Sequence, residues 1–160
     1  MTNSFHISRR LNAALLSAVL LCMLALPARA AANLKVSAAF WKEKTDKPSV
    51  LNDAVDSARE ATLARQPNGT YTLELPIEEF SFMEVSCYLT GISIGDISYD
   101  GEVSGDVKNG TGILTLRNLP SSILTGSEVS DSLLVSCSLQ TSVNLLGTIS
   151  TDTRMCVWVE

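Results

Sequence analysis

Histidine is nearly absent from this chain. Of its 160 residues only His6 is a histidine, and it lies in an N-terminal stretch with the features of a secretory signal. A domain that follows this stretch has no imidazole, so it cannot assemble a Ser-His-Asp or Cys-His nucleophile. It also lacks the commonest protein ligand of zinc, copper and haem iron. The sequence therefore disfavours an enzyme and predicts neither catalytic residues nor a metal site.

The predicted signal peptide covers residues 1–30. A basic start with Arg9 and Arg10 precedes an apolar run over residues 13–26, and Ala28-Arg29-Ala30 gives an A-x-A cleavage pattern. The apolar run is short for a membrane span, and no second run follows it. We expect export and cleavage, leaving residues 31–160 as a single secreted domain without a membrane span. The domain would be extracellular, either free or associated with the cell surface.

Long basic clusters are also missing. Three of the 12 basic residues (Arg9, Arg10 and Arg29) lie in the signal, while all 17 acidic residues lie beyond it, so the mature net charge is −8. Nucleic acids and anionic membranes both select clustered Lys and Arg. The charge therefore excludes a nucleic-acid partner and agrees with a soluble exported domain.

Cysteine is scarce after the signal, where only Cys87, Cys137 and Cys156 remain. They show no C-x-x-C spacing, and a structural zinc site needs four close-set ligands. Export predicts one disulfide plus one free thiol, with the pairing left open. Three buried, reduced thiols are the alternative.

Strand patterns fill the remaining sequence. Apolar residues alternate with polar ones over residues 34–41, 70–77, 80–90 and 133–139, with a turn signal at residues 67–69. Residues 154–159 are apolar on both faces, which predicts a central strand. About seven to nine short strands with frequent turns predict an all-β, antiparallel sandwich or barrel.

Residues 40–55 interrupt this strand pattern. Ser49 is placed to cap a short helix in which Val50, Leu51, Ala54 and Val55 form one apolar side. A short helix between strands predicts either a lid on the sandwich or the lip of a ligand groove.

The order of these motifs resembles the near-iron-transporter (NEAT) domain. The match runs over residues 36–85: D-K-P-S at 46–49, N-G-T-Y-T-L-E-L at 68–75 and F-S-F-M-E-V at 80–85. The resemblance implies an immunoglobulin-like β-sandwich, secreted by Gram-positive bacteria, that binds haem or haemoproteins in iron acquisition. In that family the helix and the last hairpin grip the ligand. By this correspondence the ligand-binding residues are Ser49, Val50 and Leu51 on the helix and Met155 and Trp158 on the last hairpin.

The chain departs from the family pattern at the iron ligand. Haem-binding members carry tyrosines spaced Y-x-x-x-Y on the last hairpin, and residues 133–160 contain no tyrosine. Met155 is the candidate soft ligand there, and a lone thioether holds ferric iron weakly. We therefore expect a non-enzymatic binding module without a cofactor, whose partner is a surface protein or glycan. The alternatives are a haem-binding protein in iron acquisition and a structural surface protein with no small-molecule site.

Three further features have simpler explanations. Residues 96–101 match the start of a calcium-binding EF-hand loop, D-x-S-x-D-G, but they also predict a tight hairpin at Asp100-Gly101, which we favour. The carboxylates of Glu78, Glu79 and Glu84 suggest glycoside hydrolysis only if a groove fixes their separation, so a solvated acidic turn is favoured. Trp41 and Tyr99 are candidate aromatic contacts for a sugar or a partner, and Trp41 could instead cover the core. None of these features changes the expectation of a binding module.

Overall fold

A computed structural model describes residues 33–142 and 147–160 of the chain. The predicted signal peptide lies outside these residues. The described part contains ten β-strands and three short 3-10 helices, which begin and end as follows: β1 Leu34–Lys42, a 3-10 helix Val50–Ala54, β2 Ala61–Arg65, β3 Tyr71–Ile77, β4 Phe80–Phe82, β5 Val85–Ile94, β6 Ile97–Asp100, β7 Glu102–Ser104, β8 Gly112–Leu119, 3-10 helices Ser121–Ile123 and Val129–Asp131, β9 Leu133–Thr141 and β10 Thr148–Val159. No helix in this part of the chain is long and apolar enough to cross a membrane.

All ten strands belong to one antiparallel sheet that curls around a shared core. Its order is β4-β5-β9-β10-β1-β2-β3-β8-β7, and β6 pairs separately with β5. Buried residues from both halves of the sheet form one apolar cluster. The predicted all-β antiparallel sandwich is confirmed, with ten strands where the sequence predicted about seven to nine.

The core follows from the alternation in the sequence. Leu73, Leu75 and Ile77 of β3 are fully buried, and so are Cys137 and Leu139 of β9. Residues two apart on a strand share a face, so each alternating run delivers its apolar side chains to one layer. Each such side chain contributes about 1.5–3 kcal/mol through burial, which makes this layer the main source of stability.

The last strand, β10, is central, as its two apolar faces predict. It lies between β9 and β1, and Met155 and Val157 point into the core. Cys156 lies on the opposite face and is also buried, and its thiol donates to the backbone oxygen of Glu128 at 3.4 Å. Thr125 continues the pairing beyond β9, where its N–H donates to the Val157 carbonyl at 2.8 Å.

The three cysteines correct one prediction. Cys87, Cys137 and Cys156 are all buried and unbonded, so the expected disulfide is wrong. Cys137 pairs with Ile92 on β5, five residues beyond Cys87. This spacing separates the two by roughly 15 Å, and a disulfide needs Cα atoms within about 7 Å. On β10, Cys156 lies five residues from Thr151, the residue that pairs with Cys137, and its side chain is on the other face of the sheet.

The hairpin predicted at Asp100-Gly101 is also wrong. The two-residue turn of this region is at Gly95-Asp96, between β5 and β6. Gly101 instead connects β6 to β7, and these two strands pair with different neighbours: β6 with β5, and β7 with β8. A Cβ at Gly101 would collide with the Leu114 side chain and approach the Thr90 carbonyl oxygen at 2.8 Å. Glycine is required here by the close approach of two strands as the chain crosses between the halves of the sheet, and not by a turn.

Candidate functional site

The short helix after β1 forms as predicted, with Ser49 as its N-cap. The Ser49 hydroxyl accepts a hydrogen bond from the Leu51 N–H at 3.3 Å, and the backbone of Ser49 is extended. Such a cap supplies a hydrogen-bond acceptor to an N–H group of the first turn that has no acceptor within the helix. We call residues 49–54 the lip.

The lip covers part of one edge of β1 that β2 does not reach, while β10 pairs with the other edge. β2 pairs with β1 only as far as Val36, so the outer edge of Phe40 would lack partners. The Phe40 N–H donates to the Asn52 side-chain oxygen at 2.7 Å, and the Asn52 amide donates back to the Phe40 carbonyl at 2.8 Å. The Ser49 N–H donates to the same carbonyl at 2.9 Å. The lip therefore replaces a neighbouring strand and is held to the sheet by side-chain bonds.

Arg154 fixes the turn that leads into the lip. Its guanidinium donates to the Lys42 carbonyl at 3.0 Å, the Thr45 carbonyl at 2.7 Å and the Asp46 carboxylate at 2.9 Å. Because Arg154 belongs to β10, these bonds connect the lip to the hairpin of β9 and β10, which we call the last hairpin. Neither Asn52 nor Arg154 was predicted from the sequence, where no local pattern reveals partners so distant along the chain.

The structure does not bring all the predicted binding residues together. Ser49 is half-buried and uses its hydroxyl to cap, while Val50 is 42% exposed. Leu51 and Met155 are each 1% exposed and belong to the core, where Met155 lies opposite Phe40. Trp158 is half-buried opposite Ser37 and has the other parity on β10, so it lies on the outer face. Of the five residues, Val50 is the side chain that the lip presents to solvent.

An exposed turn lies beside the lip. β4 packs near the lip and is followed by Met83 and Glu84, which have φ values of 50° and 65° and form the two-residue turn into β5. Two residues with positive φ are the requirement of a type I′ turn, which normally selects Asn and Gly. Met83 is 80% exposed at this tip. The turn thus places a second exposed apolar side chain just after the strand that packs near the lip.

A carboxylate anchors the last hairpin just after the end of β9. Ser142, which follows β9, donates its hydroxyl to Glu79, and its N–H donates to the Ser86 carbonyl at 2.9 Å. Hydrogen bonds from the Ser142 and Ser86 side chains hold the pKa of Glu79 below its ordinary value. Glu79 is therefore an ionised anchor between the β3–β4 connection and the hairpin.

The donor set near the lip does not fit a coordinated haem iron. The last hairpin has no tyrosine or histidine in its sequence, and Met155 is buried. Burial raises the pKa of the Cys87 thiol and raises that of Cys137 to about 12, so both stay protonated rather than acting as thiolate ligands. Within residues 33–142 and 147–160, no three His, Cys, Asp or Glu side chains are grouped to hold a metal ion.

Comparison with known proteins identifies the fold. No protein-family model and no curated protein sequence matches the chain. Among solved structures, the NEAT5 domain of IsdX2, a B. anthracis hemophore, in complex with haem is similar with a TM-score of 0.51 and 12% identity, over 79% of this chain and 95% of that one. A mutant of IsdX2-NEAT5 in complex with haem is similar with a TM-score of 0.53 and 12% identity, over 79% and 94% of the two chains. The chain therefore has a NEAT-like fold, as its resemblance implied.

Proposed function

We propose that this chain is an exported, non-enzymatic binding module of the NEAT-like kind, with its ligand surface between the lip and the last hairpin. The observation that carries the proposal is the way in which the lip is held. The Asn52 side chain bonds to the backbone of Phe40 in β1, and Arg154 of β10 bonds to the turn that leads into the lip. Export follows from residues 1–30 and predicts a mature N-terminus at Ala31.

A lip held in this way is suited to binding. Ordering a loop and its side chains on association costs free energy, and a preformed surface avoids that cost. Here the ordering is already done by hydrogen bonds to backbone carbonyls, which leaves Val50 at the surface. A second exposed apolar side chain, Met83, follows the strand that packs near the lip. The exposed side chain of Val50 forms an apolar rim, which suits a partner that supplies its own apolar face.

Haem is the second candidate ligand, and one observation favours it: both similar solved structures contain haem. The donor set excludes the usual iron ligands at the last hairpin, so haem would be held through contacts of its porphyrin with apolar side chains. Such binding does not depend on the metal. It therefore predicts that protoporphyrin IX binds about as well as haemin.

The experiment is a titration of the purified protein with haemin, protoporphyrin IX and haemoglobin, followed by absorbance and calorimetry. We expect saturable binding of at least one of the three, weakened at least about tenfold by Val50→Asp, which places a charge on the apolar rim. Ile97→Asp is the matched control, because Ile97 is a similarly exposed apolar residue, 59% exposed, on β6, outside the lip and the last hairpin. Binding of none of the three, or equal losses in both variants, would contradict the proposal and leave a structural surface protein as the better account.

A further inference from the structure

A concave surface lies at the end of the sandwich away from the lip. β3 runs from Tyr71, which pairs with Leu119, to Ile77, which pairs with Gly112 close to the end of the lip. The C-terminal part of β8 is therefore far from the lip. There β6, the start of β7 and β8 line a cavity of about 620 Å³ that is open to solvent. Binding sites for small molecules have volumes of about 300–1,000 Å³, so the size is suitable.

An irregularity in β8 shapes this cavity. Leu116 pairs with Leu73 and Leu119 pairs with Tyr71, so two residues of β8, Arg117 and Asn118, oppose a single residue of β3. Asn118 has φ 59°, a conformation that non-glycine residues rarely adopt. Bulges of this kind turn side chains away from the regular alternation and are frequent beside binding sites. Both bulge residues line the cavity.

The lining combines one aromatic ring with side chains of both charges. Tyr99 packs partly against the core, and Ile97 beside it is 59% exposed. Arg117 and Glu102 form an ion pair at 3.3 Å with side chains 62% and 71% exposed, and Asp100 completes the lining. An ion pair so exposed to solvent contributes little to stability, about 0–1 kcal/mol, so a ligand can separate it at small cost.

The charges select the kind of ligand. An anion would be attracted by Arg117 and repelled by Asp100 and Glu102, while a cation would compete with Arg117 for the same carboxylates. A neutral molecule rich in hydroxyl groups meets neither obstacle. Its hydroxyls can accept from the guanidinium and donate to the carboxylates, because each hydroxyl does both. The ring of Tyr99 offers a flat apolar face to the C–H side of such a molecule.

We propose that this cavity is a carbohydrate-binding site that takes a neutral sugar unit, with Tyr99 stacking on the sugar and Arg117, Glu102 and Asp100 bonding its hydroxyls. The site shares no residue with the lip. It is thus independent of the function proposed for the lip.

The test is a titration of the isotope-labelled protein with three probes, maltotriose, cellotriose and N,N′,N″-triacetylchitotriose, followed by NMR chemical shifts. We expect saturable shifts of the amides of β6 and of Arg117 and Asn118 with at least one probe. Arg117→Ala and Tyr99→Ala should each weaken that binding at least about tenfold, and Tyr99→Phe should retain it. Arg65→Ala is the matched control, since Arg65 is an exposed arginine on β2.

Two outcomes would overturn the proposal. One is the lack of a saturable shift with all three probes up to about 10 mM, tenfold above a weak Kd of about 1 mM. The other is equal weakening by Arg117→Ala and Arg65→Ala. If Tyr99→Ala does not fold, Arg117→Ala alone decides, because its side chain is exposed and its removal leaves the core intact. Haemin titrations of the same variants should be unchanged, so failure at this cavity and failure at the lip are distinguishable.

Discussion

The two ends of this sandwich use their polar side chains in opposite ways. At the lip, Asn52 and Arg154 direct their hydrogen bonds to backbone carbonyls and hold the chain in place. At the far cavity, Arg117 and Glu102 bond only weakly to each other and face solvent. The first arrangement builds a shape, and the second leaves donors and acceptors accessible to a ligand.

The polar side chains of Asn52 and Arg154 are used to hold the lip in place, whereas those of Arg117 and Glu102 remain accessible to solvent. Val50 is the exposed apolar side chain of the lip, since Leu51 belongs to the core; the Ser49 hydroxyl caps the helix, and the Asp53 carboxylate is exposed. Polar selectivity, by contrast, is available at the cavity. If the comparison is correct, substitutions at the buried or hydrogen-bonded residues of the lip should lower stability, whereas substitutions at the cavity should leave stability nearly unchanged.

The largest expected effect is that of Leu51→Ala. Leu51 is 1% exposed, and truncating a buried leucine removes apolar burial and leaves a void, so we expect a loss of about 2–5 kcal/mol in the free energy of unfolding. The matched substitution at the cavity is Ile97→Ala. Because Ile97 is 59% exposed, its loss should be within about 0.5 kcal/mol. Urea unfolding of both variants measures the difference, and equal losses would remove the contrast between the two ends.

A pair of asparagines gives the next effect. Asn52→Ala leaves the N–H and the carbonyl of Phe40 without their side-chain partners, and a part-buried polar group left unbonded costs about 1–3 kcal/mol. Asn118 has a positive φ, a conformation that glycine adopts freely. Asn118→Gly should therefore change the free energy of unfolding by less than about 1 kcal/mol. Denaturant midpoints test both. A larger loss for Asn118→Gly than for Asn52→Ala would show that the bulge, and not the lip, is the structural element.

Arg154→Ala should loosen the turn before the lip, at an expected loss of about 1–2 kcal/mol, because two backbone carbonyls lose a charged donor. Asp46→Asn should have an effect below about 0.5 kcal/mol, since the Asp46 side chain is 74% exposed and the ion pair is screened. Amide hydrogen exchange at Lys42 and Ser49 reports the turn directly, because both N–H groups are bonded there. Faster exchange in Asp46→Asn than in Arg154→Ala would mean that the salt bridge, rather than the carbonyl contacts, holds the turn.

The sequence predicted the features that depend on local pattern. Alternation along β3 and β9 identified the core residues of those strands, and Ser49 was recognised as a cap because a cap needs only the residues just after it. The two-sided apolar pattern of residues 154–159 correctly placed the last strand at the centre of the sheet. These features are encoded within about ten residues and need no knowledge of the rest of the fold.

The features that the sequence did not predict depend on distant partners. Asp100-Gly101 has the composition of a hairpin turn, but glycine is equally demanded where two strands approach closely, and local sequence does not separate the two cases. The thiols were expected to pair because of export, whereas pairing requires proximity that the register of β5 and β9 denies. Arg154 lies 109 residues from the Thr45 carbonyl that it binds, which no spacing rule reveals.

The smallest expected effect concerns Glu79, which anchors the last hairpin. Its pKa in the folded protein is lowered from the ordinary 4.5 by the hydrogen bonds of Ser142 and Ser86, so the unfolded chain binds more protons in the range just below 4.5. Stability from this anchor is therefore complete above pH 4.5 and is lost as the pH falls through the lowered pKa. The carboxylate is partly solvated, so the contribution should stay below about 1 kcal/mol. Glu79→Gln should lower the urea midpoint at pH 7 and converge with the parent protein on acidification, and Ser142→Ala should reproduce part of this behaviour. A difference between Glu79→Gln and the parent that is independent of pH would show that packing of the side chain, and not its charge, anchors the hairpin.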